Sequence, residues 1–204
     1  MDELRPGLWT WTGEHPSWTP DQGGPEGWEQ EVRSYALDAG DRLVLFDPLV
    51  AAADVETLAR GRPIVVLLTN YWHRRSSAEL VEALHADVHA PAATIDEFDF
   101  PARPYRLGDV LPGGVEPQVA AYRDESNLWI RELAALVTGD TFPSGPSGFR
   151  LQPDSWLEEG LTAAARLERL APLLELPVEL LLPTHGVPVV QDACGVLARA
   201  LEPA

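Results

Sequence analysis

A chain of 204 residues that is 45% hydrophobic carries enough apolar side chain for one substantial core, and a single domain over residues 1–204 is expected. The formal charge of −17 repels nucleic acid and anionic membrane surfaces, so neither is an expected partner. One cysteine, Cys194, excludes an internal disulfide and a cysteine-based zinc site; with no apolar run of membrane-spanning length and no basic-then-apolar start, a cytoplasmic protein is expected.

In chain order, the N-terminal segment carries Trp9, Trp11, Trp18 and Trp28 among prolines, glycines and acids, and reads as a short strand followed by a long loop. "EVRSYALDA" and "RLVLFDP", joined by a Gly-Asp turn, predict a hairpin. "AADVETLARG" has helical spacing and a terminal glycine. "PIVVLLT" is an almost wholly apolar run, as expected of a strand covered on both faces. After the polar stretch "NYWHRR", the run "SSAELVEALHA" predicts a helix with a serine cap, followed by a short strand, "DVHAPAA".

The second half repeats the pattern. "GDVLPGGVEPQVAAY" reads as a turn and a strand pair, and "SNLWIRELAALVTGD" as two strands about a polar turn at Arg131 and Glu132. "DSWLEEGLTAAARLERLAPLLEL" predicts one long amphipathic helix with an aspartate cap. "VELLLPTHG" is a further buried strand running into a polar tip, and "DACGVLARALE" a closing helix. Two β-rich halves, each finished by helix, fit two sheets packed face to face with helices outside.

Three apolar strands, "LLTNYWHRR", "LVTGDTF" and "LLLPTHGVP", end on small residues followed by side chains able to bind. With the earlier "FDP", and in this order, they resemble the metallo-β-lactamase superfamily. The resemblance implies an α/β, four-layer αβ/βα sandwich with its site at the strand ends. It also implies a Thr-His-x-His-x-Asp-His loop, and laying Thr69 on its threonine puts Asn70, Trp72, Arg74 and Arg75 where its ligands belong. The superfamily's next histidine falls in "PQVAAYRDES", where Tyr122 or Asp124 stands instead. Asp140 and His185 remain, and Asp47 takes the place of a residue that orients the ligand loop, here holding Asn70 or Arg75.

Two protein ligands do not ordinarily hold a zinc ion, and arginine offers only donors, so no metal cofactor is expected. A one-residue shift of the loop would bring His73 inward and make a single zinc site of His73, Asp140 and His185, the minority expectation. Arg74 and Arg75 are read either as internal partners of Asp140 or as a site for an anionic ligand. Two functions stay open. One is a metal-free pseudoenzyme or binder of a small anionic molecule, using Asn70, Trp72, Arg74, Arg75 and Tyr122. The other is a hydrolase of a small ester, thioester or phosphorylated compound, with His185, Asp140 and His73 as its working groups. A homodimer is compatible with either.

Overall fold

The computed structural model describes residues 1–145 and 148–202. Its larger sheet has the order β1-β2-β3-β4-β5-β6-β7, formed by Asp2–Arg5, Leu8–Glu14, Glu31–Asp38, Leu43–Phe46, Ile64–Leu67, Asp87–Pro91 and Arg103–Tyr105. The first four strands pair antiparallel, and β4 through β7 pair parallel. The smaller sheet combines β8 (Val115–Gln118), β9 (Asn127–Ile130), β10 (Ala135–Thr138) and, after the short β11 (Ser144–Gly145) and β12 (Gly148–Phe149) pair, β13 (Leu180–Pro183). Its order is β13-β10-β9-β8, with β10 and β13 parallel.

The wholly apolar strands are buried on both faces because each has a different core on each side. Along β4 and β5, Val44, Phe46, Val65 and Leu67 point between the sheets, where they meet Leu128, Ile130, Val137 and Leu182 of the smaller sheet. The alternate residues Leu43, Leu45, Ile64 and Val66 face outward and pack with Val55, Ala59 and Leu80 of the helices α1 (Ala52–Ala59) and α2 (Ser77–Leu84). On the far side, Trp129, Leu136 and Leu181 pack with Leu170 of α3 (Ala163–Leu170) and Leu197 of α4 (Ala193–Ala200). Helix, sheet, sheet and helix thus form four layers, as the strand ends implied. Burial of each large apolar side chain contributes about 1.5–3 kcal/mol, which makes the two-sided strands the stiffest part of the scaffold. Among the described residues no helix is long and apolar enough to cross a membrane.

Two local expectations change. The single long helix after Asp154 is divided: a 3-10 turn at Asp154–Trp156, α3 from Ala163, and a second 3-10 turn at Ala171–Glu175. Gly160, at φ +82, breaks the run, and Thr162 is the cap, accepting a 3.2 Å hydrogen bond from Ala165 N. Asp154 instead accepts a 2.6 Å ion pair from Arg166. Ser76 precedes α2 without capping it through its side chain; its hydroxyl accepts from Val50 N at 3.0 Å.

The carboxyl ends of β4, β5, β10 and β13 lead into Asp47, Thr69, Asp140 and His185. At the last of these, Gly186 has φ +94, and a Cβ there would stand 2.1 Å from the Ser144 carbonyl oxygen. Gly186→Ala is therefore expected to cost about 2 kcal/mol or more and to lower Tm by about 4–8 °C in calorimetry. An unchanged Tm would show that this turn relaxes freely.

Candidate metal centre

The buried carboxylate of Asp47 organises the first half of the site. It accepts from Thr69 N at 2.8 Å, Thr69 Oγ1 at 2.6 Å and His73 Nδ1 at 2.8 Å. A carboxylate only accepts, so the His73 proton lies on Nδ1 and the ring is held with Nε2 pointing away. Residues Tyr71–Arg74 form a 3-10 turn capped by Asn70, whose Oδ1 accepts from His73 N at 3.0 Å. Residues three apart eclipse on such a turn, so Asn70 and His73 share its inner face. Trp72 is thrown outward and is 70% exposed.

The strand ends of the smaller sheet supply the other half. His73 Nε2 lies 3.3 Å from Asp140 Oδ1, His185 Nε2 lies 3.2 Å from that oxygen, and the two Nε2 atoms are 3.3 Å apart. Asn70 Nδ2 donates to the other Asp140 oxygen at 3.0 Å, leaving Oδ1 for this triangle. His185 Nδ1 is buried without a partner.

In the metal-free state these groups share one excess proton. Burial opposes charge on His73, but Asp140 and Asp47 outweigh it and hold its pKa at about 9. Burial would raise Asp140, yet His73 and His185 keep it well below the usual carboxylate range. Burial lowers His185, so this ring is the neutral one.

The two arginines part company. Arg74 extends outward onto the Tyr71 ring, 4.8 Å from its centroid, and donates to its hydroxyl. Arg75 turns inward at φ 36, but not onto Asp140 as a bidentate partner. Its Nη1 donates to the carbonyls of Arg33 and Asp47 at 2.8 Å each, and Nη2 to that of Thr184 at 3.5 Å. One guanidinium thus fastens β3, the end of β4 and the end of β13, with its Nε buried and unpartnered. Asp47 touches Arg75 only through its carbonyl; its carboxylate holds Thr69 and His73 rather than Asn70 or Arg75. Tyr122 stands apart, donating to the Trp156 carbonyl at 3.0 Å and lining a different hollow.

Glu125 was not singled out in the sequence, although Asp124 beside it was. It is buried behind the site, accepting from Thr141 N at 3.0 Å and Thr141 Oγ1 at 2.7 Å, and burial together with Asp140 pushes its pKa up to about 8. Its signal in the chain is its place two residues before the buried strand β9.

The triangle opens into a cleft of about 950 Å³ walled by the loop from His15 to Trp28 and by Trp72, Arg75 and Trp156. Trp28 meets the His185 ring edge-on at 5.2 Å and His15 at 5.3 Å. Of the other N-terminal tryptophans, Trp11 donates to the Leu49 carbonyl within the outer core, and Trp18 donates to the Trp28 carbonyl and braces the loop.

No protein-family model matches this chain, and no curated protein matches it. Solved structures do. TTHA1623 in a di-iron-bound form is 23% identical, with a TM-score of 0.61 over 90% of this chain and 98% of its own. A metallo-β-lactamase from Hirschia baltica is 15% identical, with a TM-score of 0.68 over 100% and 97%. The metallo-β-lactamase FIM-1 from Pseudomonas aeruginosa, in its mono-zinc form, is 12% identical, with a TM-score of 0.66 over 97% and 92%. At these identities the shared property is the fold, and it is the fold that the strand ends implied.

The expectation of no metal cofactor is corrected. His73, Asp140 and His185 bring three ligand atoms within 4.8 Å of one another, and TTHA1623, of the same fold, was solved with two iron ions. Counting from Thr69 left this set as the minority expectation because it assumed the superfamily's loop spacing; the 3-10 turn carries His73 inward in place of Trp72.

Arg75→Met would remove three hydrogen bonds at the junction of the two sheets, although the Asp47 carbonyl keeps Ser34 Oγ and the Thr184 carbonyl keeps Arg33 N. The variant is expected to lose about 3 kcal/mol in denaturant unfolding. A loss under about 0.5 kcal/mol, the range of an ordinary surface change, would show that Arg75 is not the fastener.

Proposed function

Starting from the metallo-β-lactamase fold, we propose that this chain is a hydrolase of small esters or thioesters that works with one zinc or iron ion held by His73, Asp140 and His185. The observation that carries the reading is the spacing of Nε2, Oδ1 and Nε2 at 3.2–3.3 Å. Donor atoms about 2.0 Å from a tetrahedrally bound ion lie about 3.3 Å apart, whereas a six-coordinate ion at the same bond length draws neighbouring donors to about 2.9 Å. Two imidazoles and a carboxylate suit zinc and iron alike. When bound, such an ion supplies Lewis-acid chemistry, polarising a carbonyl oxygen and making water nucleophilic at neutral pH.

The chain's own groups have separate tasks. Asp47 fixes the His73 tautomer and ring direction, and Asn70 holds the Asp140 oxygen that faces away from the triangle. Arg75, although burial lowers its pKa, provides a positive charge at neutral pH. Trp28 lies against His185 and keeps that edge of the cleft apolar. The acidic Asp21 and Glu26 on the cleft wall weigh against a phosphorylated substrate, which leaves esters and thioesters.

Protein purified without chelator is expected to contain about one zinc or iron ion per chain by elemental analysis; two ions, or none after zinc is supplied, overturns the reading. Asp47→Asn is expected to weaken zinc binding about 10–100-fold, and His185→Ala to abolish both binding and ester hydrolysis with an unchanged circular dichroism spectrum.

Because His73 is held at about 9, it is protonated at pH 7 in the metal-free protein and must lose that proton to bind metal. Titration calorimetry in buffers of different ionisation enthalpy should then show about one proton released per zinc ion at pH 7, fading toward pH 10. The same raised pKa stabilises the metal-free fold fully below about pH 6.5, and the contribution is lost as pH climbs through about 9. Release that does not vary with pH would remove His73 as the group displaced.

A further inference from the structure

The cleft is electrically and chemically graded from floor to mouth. At the floor lie Arg75, with a buried Nε–H that has no acceptor, and the His73, Asp140 and His185 triangle. At the exposed mouth lie Trp72 and the carboxylates Asp21 and Glu26, with Trp156 and Trp28 half-buried in the wall and Trp28 reaching down to His185. Among the described residues Arg75 is the only arginine in the lining, and the sequence contains no lysine. We propose that the cleft is built for a substrate with a cationic ammonium nitrogen at one end and an ester or thioester carbonyl at the other, ammonium at the mouth and carbonyl at the floor.

The tryptophans recognise the cation. Their ring faces attract an ammonium group electrostatically, and indole binds it best among the aromatic side chains. Each is held by something other than a ligand: Trp28 N donates to the Gln22 carbonyl at 3.1 Å, Trp72 packs edge-on to Tyr71 at 5.5 Å, and the Trp156 carbonyl accepts from Tyr122. The two walls are tied together by Ser155 Oγ, which donates to Glu26 at 2.8 Å. Trp72 at 70% exposure has no partner that accounts for so large an apolar surface at the edge of a cleft.

The floor recognises the other end. Arg75 lines the floor as a charge rather than as a donor, because its guanidinium is given to three carbonyls and its Nε is shut off from the cleft; the carbonyl end therefore falls to the His73, Asp140 and His185 triangle. A free carboxylate or phosphate would be drawn to the Arg75 charge, but only after passing Asp21 and Glu26 in the field of a chain of charge −17. An anionic ligand for this site, expected from Arg74 and Arg75 in the sequence, is therefore disfavoured: Arg74 is turned away onto Tyr71 and Arg75 is largely committed to the backbone.

This inference rests on the reading that the cleft above the triangle is the substrate site, but its test needs no turnover. Binding is measured by tryptophan fluorescence, at low salt, for butyrylcholine, its uncharged carbon isostere 3,3-dimethylbutyl butyrate, and a carboxylate-bearing ester of the same length. The choline ester is expected to bind about tenfold more tightly than the isostere, and the carboxylate ester most weakly. Trp72→Leu, which leaves net charge unchanged, should remove most of that preference, and Asp21→Asn with Glu26→Gln should reduce both the preference and its salt dependence. All three positions are exposed, so the fold should survive, as an unchanged Tm would verify. Equal affinity for ester and isostere, tighter binding of the carboxylate, or a preference that survives Trp72→Leu as mere attraction to an acidic protein each overturns the proposal. A preference without any hydrolysis would instead count against the hydrolase reading and leave this one standing.

Discussion

The carboxylate of Asp47, wholly buried and accepting three hydrogen bonds, is the constraint on which the site depends. An isolated buried carboxylate would be untenable in so apolar a setting, so its three donors must stay in place. Two come from Thr69 at the end of β5 and one from His73 in the following turn. Satisfying Asp47 therefore fixes where the strand stops, where the turn begins and which way the imidazole faces. Only then does His73 Nε2 reach Asp140 and His185, which belong to the other sheet.

Arg75 does for the backbone what Asp47 does for the imidazole. Its Nη1 and Nη2 reach carbonyls on three strand ends drawn from both sheets, so a side chain that reads as a ligand-binding or charge-pairing group is largely a fastener. The charge it brings still matters. Asp47 and Asp140 are two negative charges in one buried region, and in the metal-free state Arg75 and protonated His73 balance them. A divalent ion replacing the His73 proton would add one positive charge to that balance. The opposite sign prevails at the mouth, where Asp21 and Glu26 are exposed among tryptophans. The cleft is thus polar along its length, and the fold produces this polarity by setting rigid strand ends against an N-terminal loop.

The sheet architecture was legible because burial on two faces leaves a plain mark. "RLVLF", "PIVVLL" and "VELLL" have no polar alternation, and each is a strand with one core on either side. Asp140 and His185 were legible for the same reason, as the first side chains able to bind beyond such a strand. The long helix after Asp154 was not, because its hydrophobic spacing runs unbroken through Gly160 while the backbone there takes φ +82. The metal-capable residue of the loop, His73, stood only as the minority expectation for a related reason. Residue spacing transfers between proteins only when the local backbone does, and a 3-10 turn begun by Asn70 presents residues 70 and 73 inward rather than 70 and 72.

By itself, then, the amino-acid order determined the layers, the strand ends and the set of groups available at them, since these follow from local periodicity and burial. Tertiary structure alone decided which of those groups meet. His73 and Asp140 lie 67 positions apart in the chain, and Asp140 and His185 lie 45 apart. Their ligand atoms come within 3.3 Å because a buried carboxylate on one sheet aims a side chain at two strand ends of the other.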